Sequence, residues 1–337
     1  MKILIYSPCF YPSIGGIETV VSLLAHEFAH FGHEVILICH IPLKKASKPF
    51  PFTVFRQPSP FKFLQLVNWC DVFFQANVSL KGLWPLLLIR RPWVVSHNGW
   101  YCRTDFSMGW QDWLKKFASR FAVNISVSQA VADHMPTQSA VIHNPYQSHI
   151  FYEKSGILRT KDLIFVGRLV TDKGADLLLD ALAQLISQGL TAHLTIVGSG
   201  PEAENLFQQT AQLNLTPYVD FLGVKTGEEL ASLLNAHKIL VIPSRCQEGF
   251  GIVALEGIAC GCFVVTSESG GLQEAIGSCG ITFPQGDQQS LVTSLFDLLT
   301  TPAPLMFNRE VAEAHLRKHH PAAVTQAYLD IIEEAKS

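Results

Sequence analysis

Short apolar runs separated by helix-like segments recur along the whole chain, and this alternation restricts the fold more than any other feature. In the first half the runs are KILIYS, EVILICH, FTVFRQ, DVFFQ, WVVS, NISVS and AVIH; the second half repeats the scheme from DLIFVG to GITFP. Continuous apolar character marks strands covered on both faces, and the intervening helices supply the cover, so the pattern predicts parallel sheets. A chain of 337 residues with 48% hydrophobic content can fill two such cores. The expected fold class is α/β, with two doubly wound, Rossmann-like parallel-sheet domains. Ligands are then expected at the carboxyl ends of the strands. The divide is expected near Phe151 to Lys161, where polar residues and Gly156 separate AVIHNPY from DLIFVG.

Composition removes several function classes. A net charge of -3 argues against a nucleic-acid binder, and no apolar run reaches the ~18 to 20 residues needed to span a bilayer. Charged residues are only 16% of the chain, which points to an apolar surface somewhere. MKILIYSPCF lacks a signal-peptide cleavage pattern and reads as the first strand. The eight cysteines show no CxxC spacing, so zinc, iron-sulfur and disulfide frameworks are not expected, and Cys260 and Cys262 read as small buried residues at a helix end. A reduced, cytosolic state is expected.

The densest chemistry lies in EGFGIVALE, between the strand-like ILVIPS and Gly261. Glu248 falls on a loop tip and Glu256, eight positions on, roughly one turn into the helix, so both can face one ligand. Gly249 and Gly251 remove side chains where the backbone would approach that ligand, with Phe250 between them. The amides near Ile252 and Val253 suit a phosphate. One carboxylate can accept hydrogen bonds from sugar hydroxyls and the other from a ribose diol, so the stretch reads as a nucleotide-sugar site. Upstream, Arg168 and Lys173 follow the strand DLIFV and precede a helix. Two cations there suit a diphosphate leaving group, whose charge grows as the glycosidic bond breaks. In the first half Gly15 and Gly16 open a helix after a long loop, where the backbone can reach donor phosphates; that loop does not fit GxGxxG, which counts against a dinucleotide cofactor.

These stretches resemble the E-x7-E signature of retaining glycosyltransferases of family four, of the bacterial cell-surface glycan type, which have the GT-B fold. LTIVGSGPE and VDFLG before the signature, and FVVTS and SGGLQEAI after it, come in the order such a family shows. The resemblance is strong over the second half and looser over the first. It implies two domains facing a central cleft: an acceptor-side domain over residues 1–152, a nucleotide-sugar domain over 153–318, and a helix over 319–337 that crosses back to the first. It also implies transfer with retention and without a metal, and no Asp-x-Asp pair offers itself for one. Glu248 would orient the sugar, Glu256 would bind the ribose, and Arg168, Lys173 and the helix amides would take the place of metal charge. A front-face route is favoured over a covalent one, because Glu248 already has a ground-state role. No cofactor is expected; the nucleotide sugar is a substrate.

His97, in SHNG after WVVS, matches the place where the family puts a histidine near the reacting sugar. Its expected role is to hydrogen-bond that sugar or the transition-state charge. Where relatives carry Asn followed by Gly-Val-Asp, this chain has Asn144-Pro145-Tyr146-Gln147, a departure that bears on the hinge and acceptor side. Trp110, Trp113, Phe117 and Phe121 accompany Lys115, Lys116 and Arg120 in one helix-like segment. That segment reads first as core aromatics with a solvated cationic face, and alternatively as a surface for an anionic membrane. Lys44, Lys45, Lys48, Phe50 and Phe52 form a second basic and aromatic stretch. The expected function is a hexosyltransferase that uses a UDP-sugar, or less readily a GDP-sugar. Its acceptor is expected to be a glycan or lipid-linked molecule of polysaccharide or lipopolysaccharide synthesis. The alternatives are a non-catalytic nucleotide-binding GT-B shell and a nucleotide-sugar hydrolase or epimerase. The expected location is the cytoplasm, with the inner face of the membrane as the alternative.

Overall fold

The computed structural model describes the chain except residues 14, 43–49, 102–106, 301–307 and 337. It divides into two compact units, Met1–Tyr146 with His319–Ser337, and Gln147–Lys318.

The first unit holds seven parallel strands: β1 (Lys2–Tyr6), β2 (Glu34–Cys39), β3 (Thr53–Arg56), β4 (Val72–Ala76), β5 (Trp93–His97), β6 (Val123–Ser126) and β7 (Ala140–Val141). Their order is β3-β2-β1-β4-β5-β6-β7. β1, β4 and β5 are almost wholly buried, as their unbroken apolar runs require. The final helix, Pro321–Lys336, belongs to this unit and is anchored by Tyr328, whose hydroxyl lies 2.9 Å from Ser96 Oγ of β5 while its ring meets Phe74 of β4 edge-on. Phe50 and Phe52 stack on each other and against Phe10 and His26, so the aromatic part of the second basic stretch is packing; Lys44, Lys45 and Lys48 lie outside the described residues.

The second unit holds six parallel strands: β8 (Lys161–Val166), β9 (Leu194–Val197), β10 (Val219–Phe221), β11 (His237–Ile242), β12 (Phe263–Ser267) and β13 (Gly280–Phe283). Their order is β10-β9-β8-β11-β12-β13. The helix Ala175–Ser187 covers this sheet with Leu178, Leu182 and Leu185, each fully buried, at the i, i+4, i+7 spacing of one helical face. Each such leucine contributes about 1.5–3 kcal/mol by burial. The chain order reverses between β8 and β11, where β9 and β10 were laid down on one side and β12 and β13 on the other. In an open parallel sheet that reversal leaves a crevice at the strands' carboxyl ends, because the flanking loops turn away to opposite faces. The loops after β8 and β11 carry Arg168 and Lys173, and Glu248.

Two buried histidines tie strands together and set an acid limit. His237 Nδ1 faces the Leu233 carbonyl at 2.6 Å and therefore carries the proton, leaving Nε2 to accept from Thr195 Oγ1 at 2.8 Å. Burial pushes its imidazole down to about 4, and does the same to His97. Between the ordinary histidine value near 6.5 and about 4 the unfolded chain binds protons that the native state refuses, so stability falls as pH drops through that window. The expected loss is of order 3 kcal/mol per histidine. Urea unfolding from pH 7 to pH 4 checks it: His237→Gln should remove its share of the slope, and an unchanged slope would rule His237 out as a source.

Candidate active site

The site in the second unit begins with backbone geometry. After β8 the chain passes Gly167, Arg168 and the 3-10 turn Thr171–Lys173, then reaches Gly174 in the left-handed region at φ 69°. A Cβ on Gly174 would run into the Pro243 carbonyl of the loop after β11, so glycine is required twice there, by dihedral and by space. The two loops are joined further by the Arg245 amide donating to the Asp172 carbonyl at 2.7 Å, and by the Arg245 guanidinium on Asp176 at 2.5 Å.

Glu248 sits at the centre of this junction. Its Oε1 accepts from Lys173 Nζ, across from the β8 loop, and from Ser244 Oγ at 2.7 Å. Oε2 makes no hydrogen bond among the described residues. Its backbone is held by the loop after β12: Gly271 N–H donates to the Glu248 carbonyl at 2.8 Å, and Glu248 N–H reaches Ser269 Oγ at 3.3 Å. A Cβ on Gly270 would strike that same carbonyl. Ser267 Oγ donates to the Ser244 carbonyl at 2.7 Å, so three consecutive strand ends brace one carboxylate. Ser244, Ser269 and the Arg245–Asp176 pair were not singled out in the sequence. Serine and arginine are common in loops, and their partners lie 4 to 69 positions away.

Beyond Glu248 the roles divide. Phe250 is buried, so its side chain anchors the loop. Gly251 adopts φ 101° and opens the helix Ile252–Ala259 without a side-chain cap. The Ala254 amide takes up the Gly251 carbonyl at 3.0 Å, so the amides of Ile252 and Val253 precede the first helical bond. Glu256, one turn on, keeps some exposed surface, yet burial pushes its carboxyl up to about 8. Arg168 is exposed and forms no ion pair among the described residues. Lys173, Glu248, Gly251 and Glu256 are thus gathered in one unit, along two loops and one helix. No cluster of three or more His, Cys, Asp or Glu side chains stands ready for a metal ion among the described residues.

In the first unit Gly16 opens the helix Gly16–His30, and Gly15 before it is fully extended, with Ser13 donating to the Glu18 carboxylate at 3.0 Å beside it. His97 differs from its expected state. It is wholly buried at the end of β5, with Nε2 2.8 Å from Asn124 Oδ1 and Nδ1 2.8 Å from the Tyr101 hydroxyl. Asn124 Nδ2 donates to the carbonyls of Ser119 and Ala122, which fixes the oxygen toward His97 and places the imidazole proton on Nε2. Tyr101, accepting the Val78 amide at 2.8 Å, donates to Nδ1. Both ring nitrogens are spent inside the unit, so contact with a sugar requires the Tyr101 hydroxyl to leave Nδ1. Asn144 and Tyr146, from the Asn-Pro-Tyr-Gln stretch, are buried where the chain leaves this unit, and the Asn144 carbonyl meets His319 Nδ1 at 3.1 Å where it returns.

Residues 160–301 match the family described as Glycosyl transferases group 1. The D-inositol 3-phosphate glycosyltransferase of Corynebacterium jeikeium is 33% identical over 185 residues, 52% of this chain and 44% of that protein. The gpi3 subunit of phosphatidylinositol N-acetylglucosaminyltransferase of Schizosaccharomyces pombe is 24% identical over 331 residues, 87% of this chain and 72% of that protein. Several of the curated relatives are matched over only about half their length, 47% and 44% in two cases. Among solved structures, HepE of Anabaena in complex with UDP and glucose superposes with a TM-score of 0.81 at 21% identity, covering 99% of each chain. The chain therefore has the fold of GT-B glycosyltransferases, and the segment 160–301 that carries Lys173, Glu248 and Glu256 matches the family described as Glycosyl transferases group 1.

Proposed function

We propose that this chain is a retaining, metal-independent hexosyltransferase that moves a sugar from a UDP-sugar to a glycan or lipid-linked acceptor of a cell-surface polysaccharide or lipopolysaccharide. The observation that carries the reading is the Lys173–Glu248 pair, braced by three strand ends at the switch point of the second unit. It stands a few residues ahead of an uncapped helix start, with a second carboxylate one turn into that helix. Glu248 is held through one oxygen only, which leaves the other to accept from sugar hydroxyls. Lys173 and the exposed Arg168 supply positive charge for a diphosphate, and the amides of Ile252 and Val253 add a dipole of the same sign. Glu256 takes the ribose diol. Gly15 and Gly16 offer backbone amides from the first unit, and His97 contributes only on release of its Tyr101 bond.

Relatives support the chemistry by what they bind or act on. HepE is seen with UDP and glucose, and the gpi3 relative's name places its acceptor on phosphatidylinositol. Donor recognition can be tested before any acceptor is known, by thermal unfolding with UDP, GDP, ADP and NAD. UDP at about 100 times its dissociation constant should add roughly 2.7 kcal/mol of stability. The gain should shrink in Glu256→Ala. A response to GDP alone would redirect the donor, a response to NAD alone would remove the transferase reading, and a UDP response without transfer to any acceptor would leave a non-catalytic shell.

A further inference from the structure

The helix Trp110–Ala118 is built inside out. No residue in it is buried. Trp110, Trp113, Leu114, Phe117 and Phe121 of the following 3-10 turn recur at i, i+3, i+4, i+7 and i+11, so they fall on one stripe. That stripe points to solvent, with exposures from 44% at Leu114 to 73% at Phe121. The polar side turns inward instead: Lys115 reaches Asp112 at 3.2 Å and lies 5.9 Å from the Tyr101 ring, and Ser119 is buried. The first reading of this segment, with its aromatics in the core, is therefore reversed, while Arg120 of the following turn stays exposed beside them. The patch is continuous at its lower end, where the Phe117 and Phe121 rings meet edge-on at 5.7 Å and the Arg120 guanidinium lies 5.9 Å from the Phe117 ring.

Charge distinguishes among occupants. Residues 110–121 carry three cations, Lys115, Lys116 and Arg120, against one anion, Asp112, a local balance of +2 in a chain of net -3. A second copy seated on the stripe across a two-fold axis would set that positive charge against itself. An anionic bilayer offers the opposite charge, and tryptophan is the residue best suited to the boundary between headgroup and acyl chain. We propose that this stripe docks the protein on an anionic lipid surface, with Trp110, Trp113, Leu114, Phe117 and Phe121 seated about 5–10 Å into the interface and Lys116 and Arg120 at the lipid phosphates. No helix among the described residues is long and apolar enough to cross a membrane, so the contact is peripheral. It goes beyond the transferase reading and does not depend on it.

Vesicle flotation of the full chain tests the surface. Vesicles of phosphatidylcholine with phosphatidylglycerol should carry the protein at low salt, and phosphatidylcholine alone should not. Raised salt should release it, and tryptophan emission should shift to the blue on binding. The stripe is exposed, so Trp113→Ser/Phe117→Ser should fold normally and lose binding. Lys116→Glu/Arg120→Glu should lower the partition at least about tenfold, since each cation counts for roughly fivefold at such a surface. Unchanged thermal midpoints and an intact response to UDP would show that the variants report on the surface alone. Absence of binding to anionic vesicles at low salt, equal binding by the variants, or a concentration-dependent dimer lost in Trp113→Ser/Phe117→Ser would each overturn the proposal.

Discussion

Glu248→Ala and Lys173→Ala are each expected to cut sugar transfer by roughly 10²–10³-fold while leaving the fold intact, the scale seen when one preorganised polar group is removed from developing charge. The physical reason lies in how they are held. Glu248 is fixed by Lys173, Ser244 and the backbone of the loop after β12, so its free oxygen has a defined position before any sugar arrives. Lys173 is positioned by the same contact, and a diphosphate would take over part of its charge as the carboxylate turns to the sugar. Both side chains keep some exposure, 15% for Glu248 and 23% for Lys173, so the residue left unpaired can still be hydrated. The stability cost should stay near 1 kcal/mol. Glu248→Gln separates the roles: it keeps the hydrogen-bonding shape and loses the charge. Recovery of most activity in Glu248→Gln would assign orientation to this residue, and loss equal to that of Glu248→Ala would assign charge. A Glu248→Ala enzyme with full turnover would remove it from the mechanism. On the proposed reading, in which Lys173 and Arg168 supply the positive charge, the same assays should proceed in EDTA; inhibition by chelation would restore a metal to the reaction.

The sheets were legible because their signal is local. Each apolar run quoted for β1 through β13 became a strand, and central ones such as β1, β4 and β5 are covered on both faces, which needs nothing but continuous apolar side chains. The motif positions were legible for the same reason: Lys173, Glu248 and Glu256 sit at fixed offsets from strand ends, and in a parallel sheet strand ends are where ligands go. What was not legible depended on direction or on remote partners. Periodicity shows that Trp110, Trp113 and Phe117 share a helical face but not which way that face looks, and here it looks outward. His97 stands at the right strand end, yet its availability is decided by Asn124, twenty-seven positions away, and by Tyr101 turning back on it. Glu256 reads as an ordinary ribose-binding carboxylate in EGFGIVALE, and only the packing around its helix reveals the burial that pushes its carboxyl up to about 8 and so favours protonation.

That protonation gives the second large effect. Burial lifts the Glu256 carboxyl from an ordinary 4.5 to about 8, so between those values the native state binds a proton that the unfolded chain has released. Native stability is fully supported by this group below the unfolded value, falls as pH rises through the window, and reaches its lowest level once the folded carboxyl ionises near pH 8. Glu256→Gln is neutral throughout and should be more stable than the parent above pH 8 by roughly 3–5 kcal/mol, with the two converging below pH 4.5. Chemical unfolding at a series of pH values checks the difference, in which the histidine contributions cancel; parallel curves would show that Glu256 is ionised in the free protein. A ribose diol presents two hydroxyl donors and is best met by a carboxylate, which accepts and does not donate. Binding should then expel the Glu256 proton, and UDP affinity should climb with pH, by up to tenfold per unit below pH 8, in the wild type but not in Glu256→Gln. Calorimetry in two buffers of different ionisation enthalpy would register the released proton directly. A pH-independent affinity would mean that Glu256 meets the ribose in its acid form, with its own O–H donating to a hydroxyl oxygen.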